Sequence, residues 1–350
     1  MRPPCYAPLD DALDEIAPYG IALDNGNSNH APMVAEALCA LGRADAVLPW
    51  LARYRGRMRQ RPAAGERICS DDWRGALGRR ERFADWSEFF GEEVREAPWR
   101  EVVDCWVGRL ASGFCAAATH GVIRVGHAVR GLAENATRSR LRELADALAG
   151  WASVWQELPA GDLSANGTLT PREAIAKVPV VPPDKRARGN IVAALGVLGD
   201  FPEFAPAIGL IDTGGAAAPL AAELTETFAR VYLANAHDIP TTIAFIHGVT
   251  SHAALGNMVP HLSEATARAA SRYAWQTGCG LYACFGGGTP LADPVEPQDT
   301  DMDALADRAV QNGDEHVIKF TEACLSRHAI DPSPAYLAAA EHVHGIIRRR

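Results

Sequence analysis

Apolar residues recur every three to four positions through most of this chain, with polar and charged residues between them, which is the period of amphipathic helices. Met33, Val34, Ala37, Leu38 and Leu41 form one such stripe. It follows a turn rich in capping residues, Asp24-Asn25-Gly26-Asn27-Ser28-Asn29, and ends at Gly42, so a helix is expected to open near His30. A second helix is expected over residues 44–59, and residues 62–80 read as irregular. Phe83, Trp86, Phe89 and Phe90 sit at helical spacing. Residues 98–132 read as two helices that break near Ser112-Gly113, and another follows over residues 141–155.

Residues 157–187 carry Pro and Gly and read as a long connection, within which Thr170-Pro171-Arg172-Glu173 has the pattern of a helix start. Further helices are expected near 217–236, 240–256, 263–284, 300–311, 314–328 and 333–348. Leu281-Tyr282-Ala283-Cys284-Phe285 has the look of an isolated strand. The pattern predicts an all-α, multi-helix bundle over residues 1–350 as a single domain, with few or no strands.

Composition narrows the function classes. The 350 residues carry 34 Lys+Arg and 43 Asp+Glu, a net charge of -9 that argues against a nucleic-acid partner. Alternate arginines, Arg53, Arg55, Arg57, Arg59 and Arg61, make one basic run, read as a solvated face. No apolar stretch has the length of a membrane span, and Met1-Arg2-Pro3-Pro4-Cys5 lacks a signal core, so a cytoplasmic protein with no membrane partner is expected. The eight cysteines include no Cys-x-x-Cys pair, so a thiolate zinc site is not expected.

Histidines carry the chemistry. His30, His120, His247 and His316 lie in four separate apolar helical segments, where an ionisable ring needs a reason. Taken singly, each suits a hydrogen-bonded core position. Together they suit a first-row metal, since helices of a bundle can aim imidazoles at one point. His316 and Lys319 share a helix face, and Lys319 is flanked by Val317, Ile318 and Phe320. Burial there would favour a neutral amine, which can act as a base, form a Schiff base or take up carbon dioxide as a carbamate; a lysine snorkelling to water is the plainer alternative.

The segments Asn27-Ser28-Asn29-His30 with Leu41-Gly42, His120-Gly121-Val122-Ile123-Arg124, His247-Gly248-Val249-Thr250 and Asp314-Glu315-His316-Val317-Ile318-Lys319 resemble the questin-oxidase-like family. They occur in that family's order and span about residues 20–325. The resemblance implies a helical, non-haem Fe(II) oxygenase that inserts oxygen into, and cleaves, a ring of an anthraquinone-like aromatic. Its metal ligands would be His30, His120, His247 and His316, with Lys319 as a carbamate, and molecular oxygen would be the co-substrate. NADPH is an open question, because Gly286-Gly287-Gly288 does not match a dinucleotide fingerprint.

Arg124 and His127 are candidate catalytic residues; Arg124 can attract a phenolate or serve as an ion-pair partner. The family tends to carry Tyr where this chain has His127. His127 can support His120 or replace it as ligand, and His252 competes with His247. Asp314 and Glu315 can accept imidazole N–H bonds, while Trp50, Trp86, Trp106 and Trp275 are candidates to line an aromatic pocket. Two other readings stand beside this one: a metal phosphohydrolase built on His237-Asp238, with Asp238 alternatively a helix cap, and an inactive helical binding module.

Overall fold

The computed structural model describes residues 1–187, 189–292 and 296–348. Its first half contains α1 (Leu9–Ile16), β1 (Tyr19–Leu23), α2 (Ala31–Ala40), α3 (Val47–Tyr54), β2 (Met58–Gln60), α4 (Phe83–Glu96), α5 (Trp99–Leu110), α6 (His120–Glu134) and α7 (Arg138–Ser153). Short helices α8 (Pro171–Ile175) and α9 (Ile191–Gly196) lie in the connection. The second half is α10 (Ala217–Asn235), α11 (Ile239–Met258), α12 (Glu264–Phe285), α13 (Met302–Asn312), α14 (Glu315–Ile330) and α15 (Pro334–Ile346). The fold is all-α, and β1 and β2 form one small antiparallel pair.

The centre of the bundle is α11, which packs against α6, α10, α12 and α14. From Ala244 to Leu255 every residue of α11 is buried, so this helix is covered all round rather than along one stripe. Small residues let its neighbours close in. A Cβ at Gly126 of α6 would stand 2.5 Å from the Cβ of Ala254, so only glycine permits this approach of α6 to α11. A Cβ at Gly121 would meet Trp151 of α7 at 2.8 Å. A second apolar cluster joins α1, α2 and α3 through Leu13, Val34, Leu38 and Trp50. It includes Ile318, while Val317 and Phe320 on the same helix belong to the main core.

Helix starts follow local chemistry. Thr170 and Glu173 form a capping box around Pro171, and Ser263, Asp314 and Ser333 cap α12, α14 and α15. No single helix among the described residues is long and apolar enough to cross a membrane.

Several expectations are corrected. Leu281–Phe285 is the last turn of α12, not a strand, because its apolar run continues a buried helix. The segment 44–59 is not one helix: a 3-10 turn leads into α3, another follows it, and Met58 turns into β2 beside Tyr19–Leu23. The second helix expected from the break at Ser112-Gly113 starts late: residues 114–119 form turns, and α6 begins only at His120. Trp50, Trp86, Trp106 and Trp275 do not line the large cavity that holds the histidines; all four are buried. Trp86, Trp106, Phe89 and Phe90 instead pack mainly edge to face in the core.

Candidate metal centre

Four local devices present the four histidines. His30 occupies the N-cap position of α2 and is 4% exposed. Asn29 anchors it: the Asn29 amide donates to the Gly20 carbonyl at 3.0 Å, and its Oδ1 accepts from the Ala31 N–H. The Tyr54 hydroxyl accepts the His30 backbone N–H at 3.1 Å.

His120 opens α6 after three consecutive non-glycine residues in left-handed backbone, Ala117 (φ 47°), Ala118 (φ 57°) and Thr119 (φ 68°). Such residues cost about 1–2 kcal/mol each relative to right-handed backbone. The turn aims the Ala117 carbonyl at His120 Nδ1, 2.6 Å away. His247 lies mid-way along α11, with Nδ1 2.7 Å from the Ile243 carbonyl one turn back. His316 is in the first turn of α14, where Asp314 Oδ1 accepts its backbone N–H at 2.8 Å and stands 3.2 Å from its Nδ1.

The rings converge although they come from distant parts of the chain. His120 Nε2 is 2.7 Å from His30 Nε2 and 3.4 Å from His247 Nε2. Ring centroids of His30 and His316 are 4.8 Å apart, and those of His247 and His316 5.7 Å. A carbonyl oxygen can only accept, so Nδ1 carries the proton in His120 and His247, and both turn a bare Nε2 lone pair into the cluster. This carbonyl-backed arrangement is how proteins orient imidazole ligands. Burial holds His30 and His247 well below the usual imidazole range and His120 down at about 3. These imidazoles are therefore neutral at pH 7, the state that binds metal.

Lys319 is buried beside them. Its Nζ lies 4.0 Å from Met33 Sδ and forms no salt bridge among the described residues. Burial pushes its ammonium down to about 8, against the pull of Glu315 and Asp314. Its charge in turn disfavours protonation of His30, His120 and His247. Glu315, read from sequence only as a supporting residue, brings a carboxylate into the site: its oxygen and ring nitrogens of His30 and His316 lie within 4.8 Å of one another.

The four histidines line a cavity of about 1270 Å³, walled by apolar side chains such as Ile21, Met33, Ile243 and Phe285. That exceeds the common range for small-ligand pockets, about 300–1,000 Å³. Arg53 and Arg57 from the basic run also line it, as do Arg80 and Arg348. Alternation of charge in the sequence says nothing of what stands opposite, and so this lining role was missed.

The remaining candidates fall elsewhere. Arg124 borders the cavity, but its guanidinium is engaged bidentately by Glu143, at 2.6 and 2.8 Å, in a fully buried pair. His127 stands apart from the cluster, with Nδ1 2.6 Å from Glu36 Oε2. Glu36 also pairs with Arg130, which binds Glu322, and Tyr6 donates to it at 2.7 Å. His252 points away from the site, with Nδ1 bonded to the Gly248 carbonyl and its ring stacked on Phe228. The His237-Asp238 expectation is corrected: both residues are exposed, and Asp238 caps α11 by accepting from Thr241 N at 2.9 Å.

Fold and site together define an all-helical protein with a polyhistidine centre in the wall of a large cavity. The Questin oxidase-like family model matches residues 27–134, the stretch that holds His30, His120, Arg124 and His127, and the chain is similar to that family there. His247, His316 and Lys319 lie beyond the match. No curated protein matches the chain.

Proposed function

We propose that this protein is an oxygen-dependent oxidoreductase that oxidises a polycyclic phenolic or quinone-type aromatic and opens one of its rings. In this reading Fe(II) is held by His30, His120, His247 and His316, with Lys319 as its carbamate supplying a hard anionic oxygen. The observation that carries it is the convergence of His30, His120 and His247, with Nε2 atoms 2.7 and 3.4 Å apart, at the wall of the cavity. Likeness to the Questin oxidase-like family over residues 27–134 supports the oxidase chemistry and the aromatic substrate class.

The donor set fits a metal. Two backbone carbonyls hold the Nδ1 protons of His120 and His247, and His30 Nδ1 is a buried nitrogen without a hydrogen-bond partner. Iron bound there would supply the activation of molecular oxygen. The chain's own residues do the rest. Ile21, Met33, Ile243 and Phe285 offer flat apolar surface to aromatic rings and exclude water around them. A carbamate on Lys319 requires a neutral amine that adds to carbon dioxide and releases a proton, and burial makes that amine accessible near pH 8.

Metal analysis of the purified protein, followed by oxygen uptake on a panel of hydroxyanthraquinones, tests the reading. Iron with uptake on at least one member is expected. Iron-loaded protein that consumes no oxygen across the panel would reject the aromatic-oxidase reading, and two manganese ions per chain would favour hydrolysis instead.

A further inference from the structure

The charge around this cavity runs against the charge of the chain. The chain has a net charge of -9, yet the lining holds Arg53, Arg57, Arg80, Arg124 and Arg348 against only Asp314 and Glu315. Arg124 is neutralised by Glu143, and Arg57 reaches Glu315 at 3.4 Å. Arg53 and Arg80 meet no carboxylate among the described residues. Like-charged guanidiniums along one cavity repel each other, and low-dielectric walls focus their field into it.

Two of these arginines, Arg80 and Arg57, are held in place. Arg80 donates to the Gly26 carbonyl at 3.1 Å, which fixes it over the Asn25–Ser28 turn that also lines the cavity. Arg57 lies over the Tyr54 ring, 4.9 Å from its centroid. Tyr54 in turn accepts the backbone N–H of His30, so the helix that carries Arg53 and leads to Arg57 is tied to the histidine centre.

We infer that the ligand of this cavity carries a carboxylate or an equally ionised acidic group, held by Arg53, Arg57 and Arg80 while its rings occupy the apolar wall. The inference rests on the proposed function for the aromatic body of the ligand, not for its charge. Guanidinium suits this task because its planar fork matches a carboxylate with two parallel hydrogen bonds.

Calorimetric titration of the metal-free protein at low salt tests it, using anthraquinone-2-carboxylate and the neutral anthraquinone-2-carboxamide. The carboxylate is expected to bind roughly tenfold tighter, as a charge-assisted pair provides. The Arg53→Gln/Arg80→Gln double variant changes only exposed side chains and should lose most of that preference. Equal binding of the two probes by the unaltered protein, no binding of either, or a preference that survives in the double variant would overturn the inference. Benzoate bound as tightly as anthraquinone-2-carboxylate would support the anion site while removing the polycyclic reading.

Discussion

His30 and His120 bring their Nε2 atoms to 2.7 Å although 90 residues separate them in the chain. Two bare imidazole nitrogens repel at that distance, so something positive must stand between them. In the metal-free chain a proton on His30 Nε2 fills the role, and it leaves Nδ1 of the same ring without a partner. A metal cation does the same for several rings at once, and the first expectation tests this directly.

His247→Ala removes a ring nitrogen whose direction is set by the Ile243 carbonyl. Loss of even a supporting contact weakens metal sites about 10–100-fold, so loss of the ligand should lower iron affinity by at least that much. Iron content after dialysis reads the effect. A variant that keeps a full complement of iron would remove His247 from the ligand set.

Lys319→Met should move stability and metal binding in opposite directions. A lysine buried without a carboxylate partner is unfavourable, and methionine of similar volume removes the charge. Burial depresses the Lys319 pKa from 10.5 to about 8, so its charge destabilises the folded state as pH falls below 10.5, and fully below about 8. Metal-free Lys319→Met is therefore expected to be about 1–3 kcal/mol more stable at pH 7 in urea unfolding, with weaker iron binding. Unchanged iron affinity would show that Lys319 is no ligand.

Ala117→Gly gives the sign of the strain before His120. An alanine to glycine change in ordinary helix destabilises by about 0.5–1 kcal/mol, whereas at φ 47° glycine relieves a left-handed alanine. Denaturant unfolding of the metal-free variant should show stability retained or raised by up to about 1 kcal/mol. Iron should bind more weakly, because the Ala117 carbonyl that orients His120 is then less firmly held. A stability loss of the ordinary helical size would contradict the left-handed turn.

Arg124 and Glu143 form a buried pair, so removing one member strands the other. Burial raises the Glu143 carboxyl pKa and Arg124 pulls it down. Arg124→Met should cost about 3–5 kcal/mol, and the Arg124→Met/Glu143→Gln double variant should recover much of it. Oxygen uptake by the double variant separates a supporting from a catalytic role: retained turnover per folded molecule assigns Arg124 to architecture, and lost turnover assigns it to the reaction.

His252 makes the fold acid-sensitive independently of the metal centre. It is fully buried, and desolvation brings its pKa to about 4. Unfolded, it titrates near 6.5, so between those values the unfolded chain holds the extra proton and stability rises with pH. One such histidine withdraws up to about 3 kcal/mol as pH falls from 6.5 to 4. Urea midpoints of metal-free protein at pH 7 and 5 should therefore differ less in His252→Gln than in the unaltered chain. Identical pH slopes would mean that His252 titrates alike in the folded and unfolded chain, and so is not held neutral by burial.

Much of the fold was legible along the chain because helices are local objects. The stripe from Met33 to Leu41, the starts at Thr170, Ser263 and Ser333, and the stop at Gly42 depend on residues within a turn or two, and the structure has them. The all-α class follows from the same periodicity. The four histidines could be singled out because an imidazole within an apolar helical stripe conflicts with its surroundings.

Tertiary structure decided what those residues meet. It placed three histidine Nε2 atoms within contact, turned His127 towards Glu36 instead, and closed Arg124 onto Glu143. It also carried Arg53 and Arg57, which read as a solvated face, to the cavity, and sent the tryptophans into the core. The physical reason is range. Capping and periodicity act between neighbours on the chain, whereas ligation, ion pairing and cavity shape depend on groups tens to hundreds of residues apart, which only the packing of α2, α6, α11 and α14 around close contacts such as Gly126 and Ala254 brings together.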